Sequence, residues 1–89
     1  MTQMLIRHTV RDFAKWKPAY EAHRPARQAA GLKDLHLWRN VENQNDVFLL
    51  FEVSDVAKAK VFATSPDLKQ RMTAAGVMGP PDIVFLSGN

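Results

Sequence analysis

The run Val47–Val53, VFLLFEV, limits the choice of fold more than any other stretch of this 89-residue chain. Successive side chains of a strand point to opposite faces, so a run this apolar loads both sides of the strand. A sheet built around it has to be covered on both faces. Glu52 is its one polar residue, and it either ends in water near the strand terminus or pairs with a buried cation.

The neighbouring segments supply strand partners and one layer of cover. Met4–Val10 has strand length and β-branched content, with Met4, Ile6, His8 and Val10 on one face and Leu5, Arg7 and Thr9 on the other. Lys33–Val41 is a second strand, with Leu35, Leu37 and Arg39 on one face and His36, Trp38 and Asn40 on the other. The turn formers of 42–46 join it to Val47–Val53 as a hairpin. Gly79-Pro80-Pro81 delivers a last strand, Asp82–Ser87.

Two helical segments separate these strands. The first starts at Asp12, an N-cap, and runs to Gly31, a natural C′ residue. Pro18 and Pro25 each remove a donor from it. The reading is one continuous helical segment with a kink, or a break near Arg24, rather than two elements. Its alanines (19, 22, 26, 29 and 30) predict close approach to the sheet. The second spans Val56 to about Ala63 after a Ser54 or Asp55 cap. It restarts at Ser65-Pro66, shows Leu68, Met72 and Ala75 as its apolar face, and stops at Gly76.

The resulting order, β-α-β-β-α-β, predicts an α+β ferredoxin-like plait with a four-stranded antiparallel sheet and both helices on one face. Residues 1–89 form a single domain in this reading. No element is left for the second face, so a second copy is the simplest cover, in a homodimer.

Composition narrows the chemistry. Zero cysteines exclude disulfides, thiolate nucleophiles and Cys-ligated metals. The net charge of +3 comes from basic residues scattered among acids, without the dense patch that nucleic-acid binding needs. No apolar run approaches the ~20 residues that span a bilayer, and the first residues lack signal-peptide order. The expectation is a soluble, cytoplasmic protein that binds neither nucleic acid nor membrane.

The first helix carries the candidate site. Phe13, Trp16, Tyr20, His23 and Arg27 recur at spacings of three, four, three and four, which makes one stripe. The stripe passes from rings through a phenol to an imidazole and a guanidinium. A plain core stripe stays aliphatic, because buried polar groups cost free energy unless paired. One reading is the wall of a small-molecule pocket between helices and sheet, lined also by His8. The other is a core of Phe13, Trp16 and Tyr20 from which His23 and Arg27 emerge into solvent. His8, His23 and His36 lie on different elements without close ligand spacing, so no metal site is read. There is no nucleophile elbow and no phosphate-cradling glycine loop, so no cofactor is expected.

Several segments together resemble a known superfamily. They are RHTVRDFAKW at 7–16, His23, AAGL at 29–32, the hairpin of 40–54, Asp55, Lys58-Ala59-Lys60, SPDLKQRM at 65–72 and AGVMGPPD at 75–82. The pattern is similar to the dimeric α+β barrel superfamily, which includes antibiotic-biosynthesis-monooxygenase-like, polyketide-cyclase-like and stress-responsive proteins. It is closer still to small bacterial members labelled cyclases. The resemblance covers almost the whole chain and implies a dimeric barrel. The haem-degrading members use a first-strand Asn and a Trp on a later helix, which this chain lacks. The plant polyketide cyclases add a His and a Tyr late in the chain to a first-strand His. Here His8 matches, and no His follows His36.

The function this implies is an aromatic or polyketide-like cyclase, or a cofactor-free oxygenase, using histidine as general acid and base in an apolar pocket. His8 or His23 moves a proton α to a carbonyl and Tyr20 hydrogen-bonds the developing enolate. Arg27 holds an anionic group, and Trp16 and Trp38 stack on the ring. The competing readings are a non-catalytic dimer that binds a small hydrophobic ligand, and a purely structural dimer. In the structural reading His8 bonds to neighbouring backbone or to Glu52, and Trp38 packs in the core or the dimer interface. A cavity distinguishes the first two readings from the third.

Overall fold

The chain runs β1 (Thr2–Val10), α1 (Phe13–Ala22), α2 (Arg24–Ala29), β2 (Leu32–Arg39), β3 (Asp46–Val53), α3 (Val56–Ala63), α4 (Pro66–Ala74) and β4 (Val77–Ser87). The computed structural model describes residues 1–88. The strands form one antiparallel sheet in the order β2-β3-β1-β4. This is the expected ferredoxin-like α+β architecture, with each helical segment divided in two.

Register places the apolar alternation as the sequence predicts. Met4 lies opposite Phe51 and Phe85, and Ile6 lies opposite Leu49 and Ile83. Phe51, Met4, Val10 and Val47 are the largest fully buried side chains, all on the helix-covered face. Each is worth roughly 1.5–3 kcal/mol over an exposed equivalent. The opposite face carries Leu5, Phe48 and Leu50, half-buried, and Trp38, Met78, Val84 and Leu86, exposed. Glu52 is on this open face, half-buried between Gln3 and Lys33.

Several boundaries differ from the sequence reading. The first helical segment breaks at His23, beside the expected Arg24, where φ of −87° and ψ of 1° leave the α region, and it forms two helices where one segment was expected. The break follows from Pro25 in the first turn of α2, where a missing N–H costs nothing but cannot continue α1. Pro18 stays within α1 on its exposed side. β4 begins at Val77, so Gly79-Pro80-Pro81 lies inside the strand instead of preceding it. An edge strand tolerates prolines, and the register with β1 slips there, between Arg7 and Thr9. The alanines of α1 and α2 do not approach the sheet as a group. Ala19, Ala22 and Ala29 are exposed, because the larger aromatic stripe takes the inward face.

Asp12, Asp55 and Ser65 cap α1, α3 and α4, accepting from the amides of Ala14, Lys58 and Leu68 at 3.0, 3.1 and 3.2 Å. Gly31 turns the chain from α2 into β2 at φ 78°, and a Cβ there would sit 2.6 Å from Ser54 Oγ. Its carbonyl accepts from the amide and the hydroxyl of Ser54 at 3.0 and 3.1 Å, which ties the end of α2 to the end of β3.

Candidate functional site

Between the helices and the sheet lies a cavity of about 320 Å³. That is near the lower end of small-ligand sites, about 300–1,000 Å³. Its floor is apolar and buried, including Met4, Ile6, Leu49 and Phe51. Its rim holds exposed residues of two elements, Ala19 and Ala22 of α1 and Arg71 and Ala74 of α4, so it opens between these helices. The helix stripe forms one wall. Trp16, Tyr20, His23 and Arg27 all line the cavity, and His8 reaches it from β1.

His8 is 6% exposed, and neither of its ring nitrogens has a hydrogen-bond partner. It meets the edge of Trp16 at 5.4 Å between centroids. Burial pushes its pKa down to about 4, and the nearby Asp46 carboxylate offsets this only in part. Its expected pairing with Glu52 does not occur, since alternation puts that carboxylate on the other face of the sheet. Asp46 itself is held below the ordinary carboxylate range by Arg7, whose Nε and Nη2 donate to it at 3.1 and 2.9 Å.

Tyr20 stacks on Trp16 at 4.7 Å and 20°. Burial raises its phenol to about 12, so the hydroxyl keeps its proton at neutral pH and is a donor. His23 stands at the α1–α2 break against Phe62, 5.7 Å away, and its buried Nε2 has no partner. Burial, then the positive charges of Arg71 and Arg27, lower its pKa. The imidazole lies on the same stripe as Trp16 and Tyr20 and lines the cavity with them.

Arg27 does not emerge into solvent. It is 4% exposed, donates from Nε and Nη2 to Asp34 at 3.2 and 3.1 Å, and from Nη1 to the carbonyl of Tyr20 at 2.6 Å. Its guanidinium also lies 3.9 Å from the Tyr20 ring centroid. With its charge matched by Asp34, it fixes Tyr20 in place instead of waiting for an anion. Trp38 lines no part of the cavity. It stands on the open face stacked on His36 at 4.8 Å, because alternation along β2 turns it away from the helices. Among the described residues no group of His, Asp and Glu is arranged to hold a metal ion.

The sequence reading missed Phe62 and Arg71 as lining residues. Arg71 was within reach of the same periodicity, three residues after Leu68 and four before Ala75, on the stripe already read as the inner face of α4.

Solved structures with this architecture are numerous enough in kind to define it. A Bordetella bronchiseptica protein provisionally assigned as an antibiotic biosynthesis monooxygenase superposes with a TM-score of 0.80 at 19% identity, over 99% of this chain and 96% of its own. A Caulobacter crescentus protein of the same provisional assignment gives 0.74 at 15%, over 99% and 89%. SnoaB of Streptomyces nogalater, a cofactor-independent oxygenase solved as a single-site variant, gives 0.70 at 17%, over 98% and 91%. This chain has the fold of the antibiotic biosynthesis monooxygenases. Identities this low establish the fold alone, since one fold hosts unrelated chemistries. No protein-family model matches the sequence, and no curated protein matches it either. No helix among the described residues is long and apolar enough to cross a membrane.

Proposed function

We propose that this chain is a homodimeric, small-molecule-handling protein of the cofactor-free oxygenase or cyclase type, acting on an aromatic or polyketide-like compound in the helix–sheet cavity. The observation that carries this reading is the set of unpartnered imidazole nitrogens, both of His8 and Nε2 of His23, on a cavity with an apolar floor. An unpaired buried polar atom costs about 1–3 kcal/mol, which a ligand hydroxyl or carbonyl relieves. A neutral imidazole offers one donor and one acceptor, suited to removing a proton α to a carbonyl. In this reading His8 or His23 takes the proton, Tyr20 donates to the developing enolate oxygen, and Trp16 stacks on the ring. Arg27 holds Tyr20, and Trp38 belongs to the dimer interface.

A hydroxylated anthrone tests the chemistry, because its enolate forms by loss of a C10 proton, conjugated to the carbonyl through the ring, and then reacts with oxygen. The unmodified protein should accelerate oxygen uptake, and His23→Ala should lose about 10²-fold or more of that rate while remaining folded. Equal rates with and without protein would exclude proton abstraction. One feature favours a second reading, a non-catalytic binder of such ligands. No carboxylate or carbonyl orients His8, whereas catalytic bases are ordinarily held by a third group. Saturable binding of the anthrone without turnover would establish it.

The homodimer in this proposal rests on the open sheet face. Leu5, Phe48, Leu50, Trp38, Val84 and Leu86 make one apolar surface on the face that no helix covers. Arg7 does not interrupt it as a free charge, being paired with Asp46. Leu5→Glu, opposite Leu50 and Val84 at the centre of this face, should convert a dimer to a folded monomer in light scattering. An unchanged mass would remove this face as the interface.

A further inference from the structure

Among the described residues no aspartate or glutamate lines the cavity, whereas two guanidinium groups do, those of Arg27 and Arg71. They differ in what remains available to a ligand. Arg27 is buried and spends three donors on Asp34 and the Tyr20 carbonyl. Arg71 stands at the mouth on α4, where its Nε meets Asp67 Oδ2 at 3.2 Å. Both side chains of that pair are mostly exposed, at 60% and 70%. An exposed pair of this kind contributes roughly 0–1 kcal/mol, so Asp67 yields readily to a better-placed anion. The two Nη groups of Arg71 have no hydrogen-bond partner among the described residues. Across the same cavity, Nε2 of His23 is buried and unpaired.

We propose that the ligand of this cavity is a ring-bearing carboxylate, anchored at the mouth by the guanidinium of Arg71 with its ring against the apolar floor. The proposal rests on the reading of the cavity as a ligand site and narrows the ligand's chemistry. A planar fork matches a carboxylate in two parallel bonds, which neither an amide nor a hydroxyl can accept with a full charge. The surroundings also exclude a cation: an ammonium ligand would enter a site with two guanidinium groups and no lining acid. Placing the anion there changes the surroundings of His23. That ring faces Arg27 from α2, Arg71 and Asp67 from α4, and Phe62 from α3. Its positive neighbours now oppose its protonation, and a bound carboxylate would offset them. Binding therefore takes up protons and tightens as pH falls through the range in which this imidazole, held below its ordinary value by burial and its positive neighbours, becomes charged.

The test compares 2-naphthoate with its uncharged counterpart 2-naphthamide by calorimetry, on the unmodified protein, Arg71→Gln and Arg71→Lys. The expected result is a preference for the acid of about tenfold or more, the size of one charged hydrogen-bonded contact. Repeating the titration in buffers of different ionisation enthalpy should show proton uptake with the acid and none with the amide. Arg71→Gln, at an exposed position, should fold normally and bind both probes alike, and Arg71→Lys should keep part of the preference. Equal binding of acid and amide by the unmodified protein, or a preference that survives in Arg71→Gln, would overturn the anion proposal and leave the cavity standing as a ligand site. Binding of neither probe would overturn the ligand site and this proposal together.

Discussion

Asp34→Ala is expected to destabilise the fold by about 3 kcal/mol, the lower end of the range for removing one member of a buried ion pair. Arg27 is nearly fully buried and Asp34 is its only carboxylate partner among the described residues, holding two of its donors. Without Asp34 the guanidinium keeps only its bond to the Tyr20 carbonyl, and a positive charge is left in a low-dielectric setting. The cost comes from the stranded cation more than from the lost pair, so Arg27→Met combined with Asp34→Ala should recover much of the loss. Asp34 is also 3.4 Å from Arg24, but that contact is exposed and adds little. Asp67→Ala, at the exposed Arg71 pair, serves as the control and should change stability by less than about 1 kcal/mol. Urea unfolding of the four proteins decides the matter. Equal effects of Asp34→Ala and Asp67→Ala would mean that Arg27 is not electrostatically buried.

Acid should destabilise the protein through His8. Burial lowers its folded pKa to about 4, whereas the unfolded chain titrates near the ordinary value of 6.5. Between these values the unfolded state binds the proton and the folded state does not, so stability rises with pH across this window. The contribution is complete above about pH 6.5 and is lost progressively as pH falls to about 4. It amounts to on the order of 3 kcal/mol, from 1.36 kcal/mol per pKa unit. His8→Phe, which keeps a ring against Trp16, should flatten the pH dependence in this window while leaving the carboxylate-driven loss at lower pH. The measurement is the midpoint of urea unfolding as a function of pH. Parallel curves for the two proteins would show that the imidazole is already charged, or already partnered, inside the fold.

Both expectations turn on Arg27 and His8, whose identity the sequence flagged and whose surroundings it did not. His8 is assigned by alternation to the same strand face as Met4, Ile6 and Val10, and that placement holds. Alternation does not say whether a buried imidazole finds a partner, because partners come from other elements. The stripe of Phe13, Trp16, Tyr20, His23 and Arg27 is likewise real as a wall of one cavity. Its last member behaves differently from the expectation because Asp34, on the next strand, turns toward it. Trp38 was expected near a ligand ring on residue type alone, and strand parity places it on the opposite face of the sheet.

The sequence by itself determined the order of elements, the antiparallel sheet and the grouping of Met4, Ile6, His8 and Val10 on one face of the first strand. These follow from short-range rules: strand alternation, helix periodicity, capping by Asp12, Asp55 and Ser65, and the turn at 42–46. The same rules located the helix restart at Pro66 and the inner stripe of α1. Only the tertiary structure decided which polar groups end up paired. Arg27 found Asp34 while His8 found nothing, and that difference separates a structural cation from a group free to meet a ligand. It also decided that Gly79-Pro80-Pro81 lies within an edge strand, where the ladder with β1 is interrupted. Packing across the cavity left Arg71 at the mouth with its two Nη groups unpaired among the described residues. Pairing and enclosure depend on distances between elements, and one-dimensional periodicity carries no information about those distances.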